Sequence, residues 1–367
     1  MKKRVLLVAA GGMDKSGVPA VLMATVRGLH EEYDFDLLLH TETRGFYEPE
    51  FLSYGGAIYR CPKWRPGPRP LRRLAELLHP VHLYGYLLRL LGRQHYDVIH
   101  CHNDFDMGAC LAAAHRRGVP VRVAHTHKSW PADENTGALT RFTRRVSRRR
   151  ILRHATALVG CSPLANATTF GPDVPAVVVP NSYDERRFFF IPHDGPQPLR
   201  LLQVGYCNPN KNQLFTLDVL RALRDRGSDA TLTLIGDSAN EYGDKVRRRI
   251  HDYGLEDRVT LLPPDADIPA AMQAASMLMQ PSIAEGFGIV LVEAQATGLF
   301  CCASDNVPRQ TDLGGAVYLP LSDGPEKWAD TILSQGRYRE RRPYDCTPYA
   351  TAGFLAVQRA VYEGQPI

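Results

Sequence analysis

Pro281-Ser282-Ile283-Ala284-Glu285-Gly286-Phe287-Gly288-Ile289-Val290-Leu291-Val292-Glu293-Ala294-Gln295-Ala296-Thr297-Gly298 is the most informative stretch of this 367-residue chain. The apolar run at 277–280 just before it reads as a buried strand. The segment carrying Glu285 and two glycines reads as a loop, and the apolar run from Ile289 as a helix. Glycines let a backbone approach a ligand closely. A helix start offers free N–H groups and a positive dipole end, which suits a diphosphate. Glu293 falls about one and a half turns into the helix, roughly 7–8 Å along its axis. Two carboxylates so separated can hold two ends of one ligand. The apolar neighbours of Glu293 weigh against an ordinary surface ion pair, because a buried carboxylate needs partners.

Working outward, the same strand–loop–helix rhythm recurs on both sides. Downstream of residue 198, strands are expected at 199–204, 231–235, 259–262, 277–280, 300–303 and 317–318. Helices are expected at 214–226, 245–253, 268–275 and 289–297. Upstream, strands are expected at 5–10, 35–40, 57–59, 98–102, 121–125, 157–161 and 177–179. A helix at 18–30, a long helical stretch at 71–91, interrupted near Pro80, and helices between the strands from 98 to 161 lie among them. Between the halves, Pro192-His193-Asp194-Gly195-Pro196-Gln197-Pro198 has no periodicity and reads as a linker. Strands alternating with helices imply parallel sheets covered on both faces. The length exceeds what one core supports. The chain is therefore read as α/β, with two doubly wound Rossmann-like domains facing a central cleft. Residues 1–190 form the first domain, 191–348 the second, and 349–367 a C-terminal helix. Ligands of such sheets bind beyond the carboxyl ends of the strands. No G-x-G-x-x-G follows the first strand, which argues against a dinucleotide oxidoreductase.

Composition narrows the class further. The apolar run at the N-terminus, Val5 to Ala10, is too short for a signal peptide core and continues into glycine and Asp14. No stretch approaches the roughly 20 apolar residues of a membrane span, so a cytoplasmic location is expected. The eight cysteines are scattered, without C-x-x-C, which fits neither a disulfide framework nor a zinc site. Residues 1–195 carry 27 Lys/Arg against 18 Asp/Glu, and the remainder 17 against 21. The basic excess concentrates from Arg65 to Arg73 and from Arg141 to Arg153. It reads either as a solvated face or as a surface for a phosphorylated acceptor or anionic lipid headgroups, the last of which would make the protein peripheral on the inner membrane face. No aromatic interleaving or motif supports a nucleic-acid partner.

The segment from Glu285 to Glu293 resembles the E-x7-E signature of the retaining glycosyltransferases of family four. Other elements fall in the same order. Val204-Gly205 followed by Lys211-Asn212-Gln213 resembles the family's G-R…K-N element, and Leu234-Ile235-Gly236-Asp237 its next strand end. Val179-Pro180-Asn181 through Arg187-Phe188 resembles its P-N-G-x-D…R-F element. Val98-Ile99-His100-Cys101-His102 and Ala124-His125-Thr126-His127 resemble strand ends of its first domain. Ser304-Asp305-Asn306-Val307-Pro308 resembles a turn common in its exopolysaccharide and capsule branch.

The resemblance implies the GT-B fold, with the C-terminal helix crossing back to the first domain and a hinge near residues 183–198. It implies transfer of a sugar, with retention, from a nucleotide sugar (UDP-sugar by family habit) to a glycan, lipid-linked or small-molecule acceptor on the first-domain side. No cofactor beyond that co-substrate, and no metal, is implied. Glu285 is expected at the donor sugar and Glu293 at the ribose. The backbone after Glu285, at Gly286, Phe287, Gly288 and Ile289, is expected to face sugar and phosphate. Gly205, Lys211 and Asn212 are expected to bind the donor, with Lys211 neutralising the diphosphate. Gly17, in competition with Gly11-Gly12, is expected to approach the phosphates. His125 best matches the family's histidine near the donor sugar, with His100, His102 and His127 as alternatives. Four histidines at two strand ends also fit a metal site. One departure stands out: Tyr206 occupies the place of the family's usual Arg. It motivates a second reading, a non-catalytic sugar-nucleotide-binding partner of a glycan assembly complex. A GT-B sugar-nucleotide epimerase or phosphorylase is a third.

Overall fold

The structure is a computed structural model describing residues 2–62, 69–129, 137–193, 198–336 and 340–365; over 69–77 it describes the backbone alone. The side chains of the basic stretch from Arg65 to Arg73 and the centre of the proline-rich linker, residues 194–197, therefore lie outside what is described. Contacts divide the chain into two units, Met1–Ser182 with Ala352–Ile367, and Tyr183–Thr351. This division falls upstream of the proline-rich stretch.

The first unit holds strands β1 (Lys3–Ala9), β2 (Tyr33–Leu39), β3 (Ile58–Arg60), β4 (Val98–His102), β5 (Val121–Thr126), β6 (Ala157–Gly160) and β7 (Val177–Val178). Its helices are α1 (Gly17–Leu29), α2 (Glu48–Ser53), α3 (Arg69–Arg93), α4 (Met107–Arg116), α5 (Ala138–His154) and α6 (Pro163–Thr169). The strands form one parallel sheet in the order β3-β2-β1-β4-β5-β6-β7. Buried on both faces, β1 is an unbroken apolar run rather than an alternation. Val5 and Leu7 face one core with Val26 and Leu29 of α1. Leu6 and Val8 face the other, with Leu83 and Leu87 of α3 and Leu111 of α4.

The second unit repeats the plan. Its strands are β8 (Arg200–Val204), β9 (Thr231–Ile235), β10 (Val259–Leu262), β11 (Met277–Gln280), β12 (Phe300–Ser304) and β13 (Ala316–Leu319). Its helices are α7 (Gln213–Asp225), α8 (Glu241–Asp252), α9 (Ile268–Ala274), α10 (Ile289–Ala296) and α11 (Gly324–Gln335). The parallel order is β10-β9-β8-β11-β12-β13. Leu201, Met277 and Cys302 pack under α7 and α11, while Leu202, Leu278 and Cys301 pack under α10. The chain ends in α12 (Thr351–Tyr362), which packs in the first unit: Phe354, Val361 and Tyr362 are buried with Val5 and Tyr33.

Three local expectations change. Pro80 lies inside one continuous helix, α3, rather than interrupting it. A proline removes one backbone donor and strains one turn, and tertiary packing of Leu83, Leu87 and Leu90 outweighs that cost. The helices α2 and α11 are additional to the expected elements. In both units strand order reverses direction between the first strand and its fourth, β1/β4 and β8/β11. Such a switch point leaves a crevice at the carboxyl ends of the two strands.

Candidate functional site

In the second unit the switch point brings the loops after β8 and β11 side by side. The loop after β11 is fastened to the loop after β8 by Asn210. Its backbone carbonyl accepts from Ile283, its side-chain amide donates to the Ala284 carbonyl at 2.8 Å, and its side-chain oxygen accepts from the Ala284 amide at 3.0 Å. The next residue, Glu285, is thereby presented to Lys211. Its Oε1 accepts from Lys211 Nζ at 2.5 Å, Ser282 Oγ at 2.8 Å and Gln280 Nε2 at 3.2 Å. Only 12 % of the Glu285 side chain and 23 % of the Lys211 side chain is exposed, so the pair is screened little by water. An ammonium has three donors, and this contact uses one of them.

The backbone around the pair is shaped by glycine. Gly205, directly after β8, has φ 147°, and a Cβ there would press on Lys211 Cε at 3.3 Å. Its absence lets the lysine stem lie across the strand end. Gly288, at φ 89°, is the residue preceding α10, and a Cβ would meet Val307 at 3.1 Å. That left-handed residue turns the chain so that α10 begins at Ile289. Asn212 plays the corresponding part before α7, with φ 58°, a conformation that asparagine tolerates better than most residues. Phe287 is buried, edge-on to Tyr349 at 5.5 Å.

Glu293 sits one turn inside α10. The residue is half-buried, and burial of its carboxyl pushes it up to about 8, the nearby Arg187 guanidinium opposing that shift and Asp184 adding to it. The group is thus an acid that changes charge near neutral pH. Tyr206 is 42 % exposed, and its carbonyl accepts from Gln213 Nε2 at 2.9 Å.

In the first unit, His125 is wholly buried on β5. Its Nδ1 pairs with His100 Nε2 at 3.1 Å, and His100 Nδ1 pairs with the Tyr362 hydroxyl at 2.8 Å. His102 Nδ1 pairs with His127 Nε2 at 2.7 Å. Burial holds His100, His102 and His125 well below the ordinary histidine range and His127 at about 4, so all four rings are neutral at pH 7. The expected quartet is therefore one stacked cluster, tied to α12. Gly17 opens α1, where added side-chain bulk would meet nothing within 4 Å. Beside it, the Ser16 amide and hydroxyl both donate to Asp14, which sets a carboxylate at this helix start.

The structure thus gathers Gly205, Lys211, Asn212 and Glu285 at one switch point, with Gly288, Ile289 and Glu293 following on the same strand–loop–helix unit. Gln280, Ser282 and Asn210 complete the surroundings and were given no role from sequence; Arg187, quoted there only as part of the R-F element, joins them. Asn210 adjoins Lys211, the only signal that pointed to it.

A lysine and a helix start at the switch point of the second of two Rossmann-like sheets suit a diphosphate, as in the sugar-nucleotide-dependent transferases of the GT-B class that the chain resembles. The profile described as "Glycosyl transferases group 1" matches residues 198–335, and that described as "Glycosyl transferase 4-like domain" matches 16–182. The Bacillus subtilis (strain 168) protein EpsF, named as a glycosyltransferase, is 30% identical over 380 residues, covering 97% of this chain and 94% of that one. The chain belongs to the family-four glycosyltransferases, in their exopolysaccharide branch. The UDP-Gal:alpha-D-GlcNAc-diphosphoundecaprenol alpha-1,3-galactosyltransferase of Escherichia coli is 26% identical, over 60% of each chain. Among solved structures, Anabaena HepE in complex with UDP and glucose has the same fold, with a TM-score of 0.77 at 17% identity over 98% of this chain and 99% of that one.

Proposed function

We propose that this glycosyltransferase moves a hexose from a UDP-sugar, with retention and without a catalytic metal, to a lipid-linked or glycan acceptor in polysaccharide assembly. The observation that carries the proposal is the Glu285 carboxylate, anchored by Lys211, Ser282 and Gln280 at the β8/β11 switch point. Glu285 receives the sugar hydroxyls. Lys211, released in part from Glu285, spreads its remaining donors over the diphosphate and stabilises the charge that develops as it leaves. The N–H groups opening α10, from Gly286 to Ile289, add to that stabilisation. Glu293 takes the ribose, while Gly205 and Asn212 shape the loop beneath. In the first unit His125 and Gly17 are assigned to the reaction on resemblance, His125 as a neutral imidazole. The relative named for a diphosphoundecaprenol acceptor supports an acceptor of the lipid-linked class.

Location at the cytoplasmic face of a membrane belongs to the same proposal. No described helix is long and apolar enough to cross a bilayer. On α5, however, Leu139, Phe142 and Leu152 are exposed among Arg141, Arg145, Arg149 and Arg153, a pattern suited to an anionic leaflet. Arg148 is otherwise engaged, donating to the Thr168 and Thr169 carbonyls.

The test is turnover of a panel of UDP- and GDP-sugars with and without a polyprenyl-diphosphate glycan acceptor, the first-formed anomer being read by NMR. Retention, insensitivity to EDTA, and loss of both transfer and slow donor hydrolysis in Glu285→Ala are expected. An inverted product, or an epimerised free nucleotide sugar, would refute the proposal.

A further inference from the structure

Away from the donor loops, three polar side chains of the first unit converge at the carboxyl edge of its sheet. His40 directly follows β2, His79 projects from α3, and Asp106 ends the short turn after β4. Both imidazoles are nearly buried, at 4 % exposure each, whereas the Asp106 side chain keeps 18 %. His40 Nδ1 and His79 Nε2 are 3.4 Å apart, His79 Nε2 and Asp106 Oδ2 3.8 Å, and His40 Nδ1 and Asp106 Oδ2 3.9 Å. Both distances to the carboxylate exceed hydrogen-bonding range, and the imidazole pair lies beyond the usual 2.7–3.2 Å for N–H donors. The two imidazole nitrogens share one long hydrogen bond, and with the Asp106 oxygen they ring a shared point.

That ring has the dimensions of a coordination sphere. The point equidistant from the three atoms lies about 2.1 Å from each, against roughly 2.0–2.1 Å for zinc–nitrogen and 2.0–2.2 Å for zinc–oxygen bonds. Tetrahedral geometry at such bond lengths needs ligand separations of about 3.4 Å, which the two imidazole nitrogens already have. Moving the carboxylate by about half an ångström, within the freedom of a partly exposed side chain, completes the set. Two imidazoles and one carboxylate select a borderline transition metal over Mg2+ or Ca2+, which prefer all-oxygen shells.

We propose that His40, His79 and Asp106 form a binding site for a zinc-class divalent cation. The ion ties α3 to the ends of β2 and β4, with the partly exposed Asp106 side chain as its outer ligand. The site is separate from the transfer chemistry and does not depend on the donor assignment. The other histidine group, His100, His102 and His125, also has ligand atoms close together. Its rings engage one another, His127 and Tyr362 at 2.7–3.1 Å and have no partly exposed member, whereas Asp106 gives the first group a reachable ligand.

The test uses the untagged full chain, stripped with EDTA and titrated with Zn2+ against a chromophoric chelator, with Co2+ as a spectroscopic probe. One equivalent of Zn2+ per chain is expected, with a rise in Tm, a Co2+ d–d band of tetrahedral intensity, and no competition from Mg2+. Loss of an outer-shell partner lowers metal affinity by about 10–100-fold, so loss of a direct ligand in His79→Gln or Asp106→Asn should lower it at least 10-fold. Asp106 lies in a half-exposed turn, so Asp106→Asn keeps the fold, which far-UV circular dichroism checks. Absence of a bound equivalent in the unmodified chain would overturn the proposal. So would undiminished affinity in both variants, the result expected if the ion sat in the other histidine cluster.

Discussion

Burial pushes the Glu293 carboxyl up to about 8 from an ordinary value near 4.5, and this ties stability to pH in a definite sense. The folded chain holds the proton more tightly than the unfolded chain. The group therefore costs nothing below about pH 4.5, and its destabilising effect grows as pH rises through 8. Glu293→Gln should leave stability unchanged at pH 4 and raise it by roughly 1–3 kcal/mol at pH 7, read as a shift of the urea midpoint. The same residue sets a binding signature. If the ribose hydroxyls donate to the ionised carboxylate, UDP affinity should rise between pH 6 and 8 in the native chain and stay flat in Glu293→Gln. At Lys211 the expectation is kinetic: Lys211→Ala should lower kcat by about 100-fold or more, the scale for removing one group that stabilises leaving charge. Glu285, Glu293 and Lys211 were legible in the sequence because they lie in contiguous motifs. Gln280, Ser282 and Asn210 were not, because each acquires its role from a neighbour that only the pairing of β8 with β11 or the fold of the loops supplies; Arg187 was visible as part of a motif, but its nearness to Glu293 was not.

Among the elements, the loops are held by side chains that close backbone ends. Arg341 donates to the carbonyls of Met272, Gln273, Ala275 and Thr297, closing the C-terminal ends of α9 and α10. Burial lowers its guanidinium to about 10, and four carbonyls compensate for the lost water. Arg341→Ala should destabilise the chain by about 2–4 kcal/mol, leaving buried acceptors unsatisfied, with amide exchange fastest at the ends of α9 and α10. Sequence periodicity located α7, α9 and α10 to within a residue or so. It passed over α11, whose opening Gly324-Pro325 reads as a turn although proline suits a first helical turn. Pro80 misled in the opposite direction, since a lone proline signals an interruption and says nothing about the core that holds α3 together.

For the whole molecule, alternation of strands and helices revealed two parallel α/β sheets but not their strand order, which depends on pairings between distant segments. The path of the C-terminus was implied by the family resemblance and not by the alternation, because it is set by tertiary packing. Phe354, Val361 and Tyr362 complete the core of the first unit, and Arg359 and Glu363 pair with Glu32 and Lys3. A fragment ending at residue 182 should therefore fail to fold cooperatively, and Phe354→Ala in the full chain should cost about 3–5 kcal/mol. Calorimetry tests both. The central claim, that the loops after β8 and β11 bind a nucleotide sugar, is tested most directly by titrating the full chain with UDP and UDP-sugars while following Tm. A ligand that binds only the native state raises Tm in proportion to the logarithm of its concentration over Kd. A saturable rise is expected in the native chain, and its loss, relative to each variant's own unliganded Tm, in Glu293→Ala and Lys211→Ala. No shift with any nucleoside diphosphate or its sugar, or a shift undiminished in both variants, would contradict it.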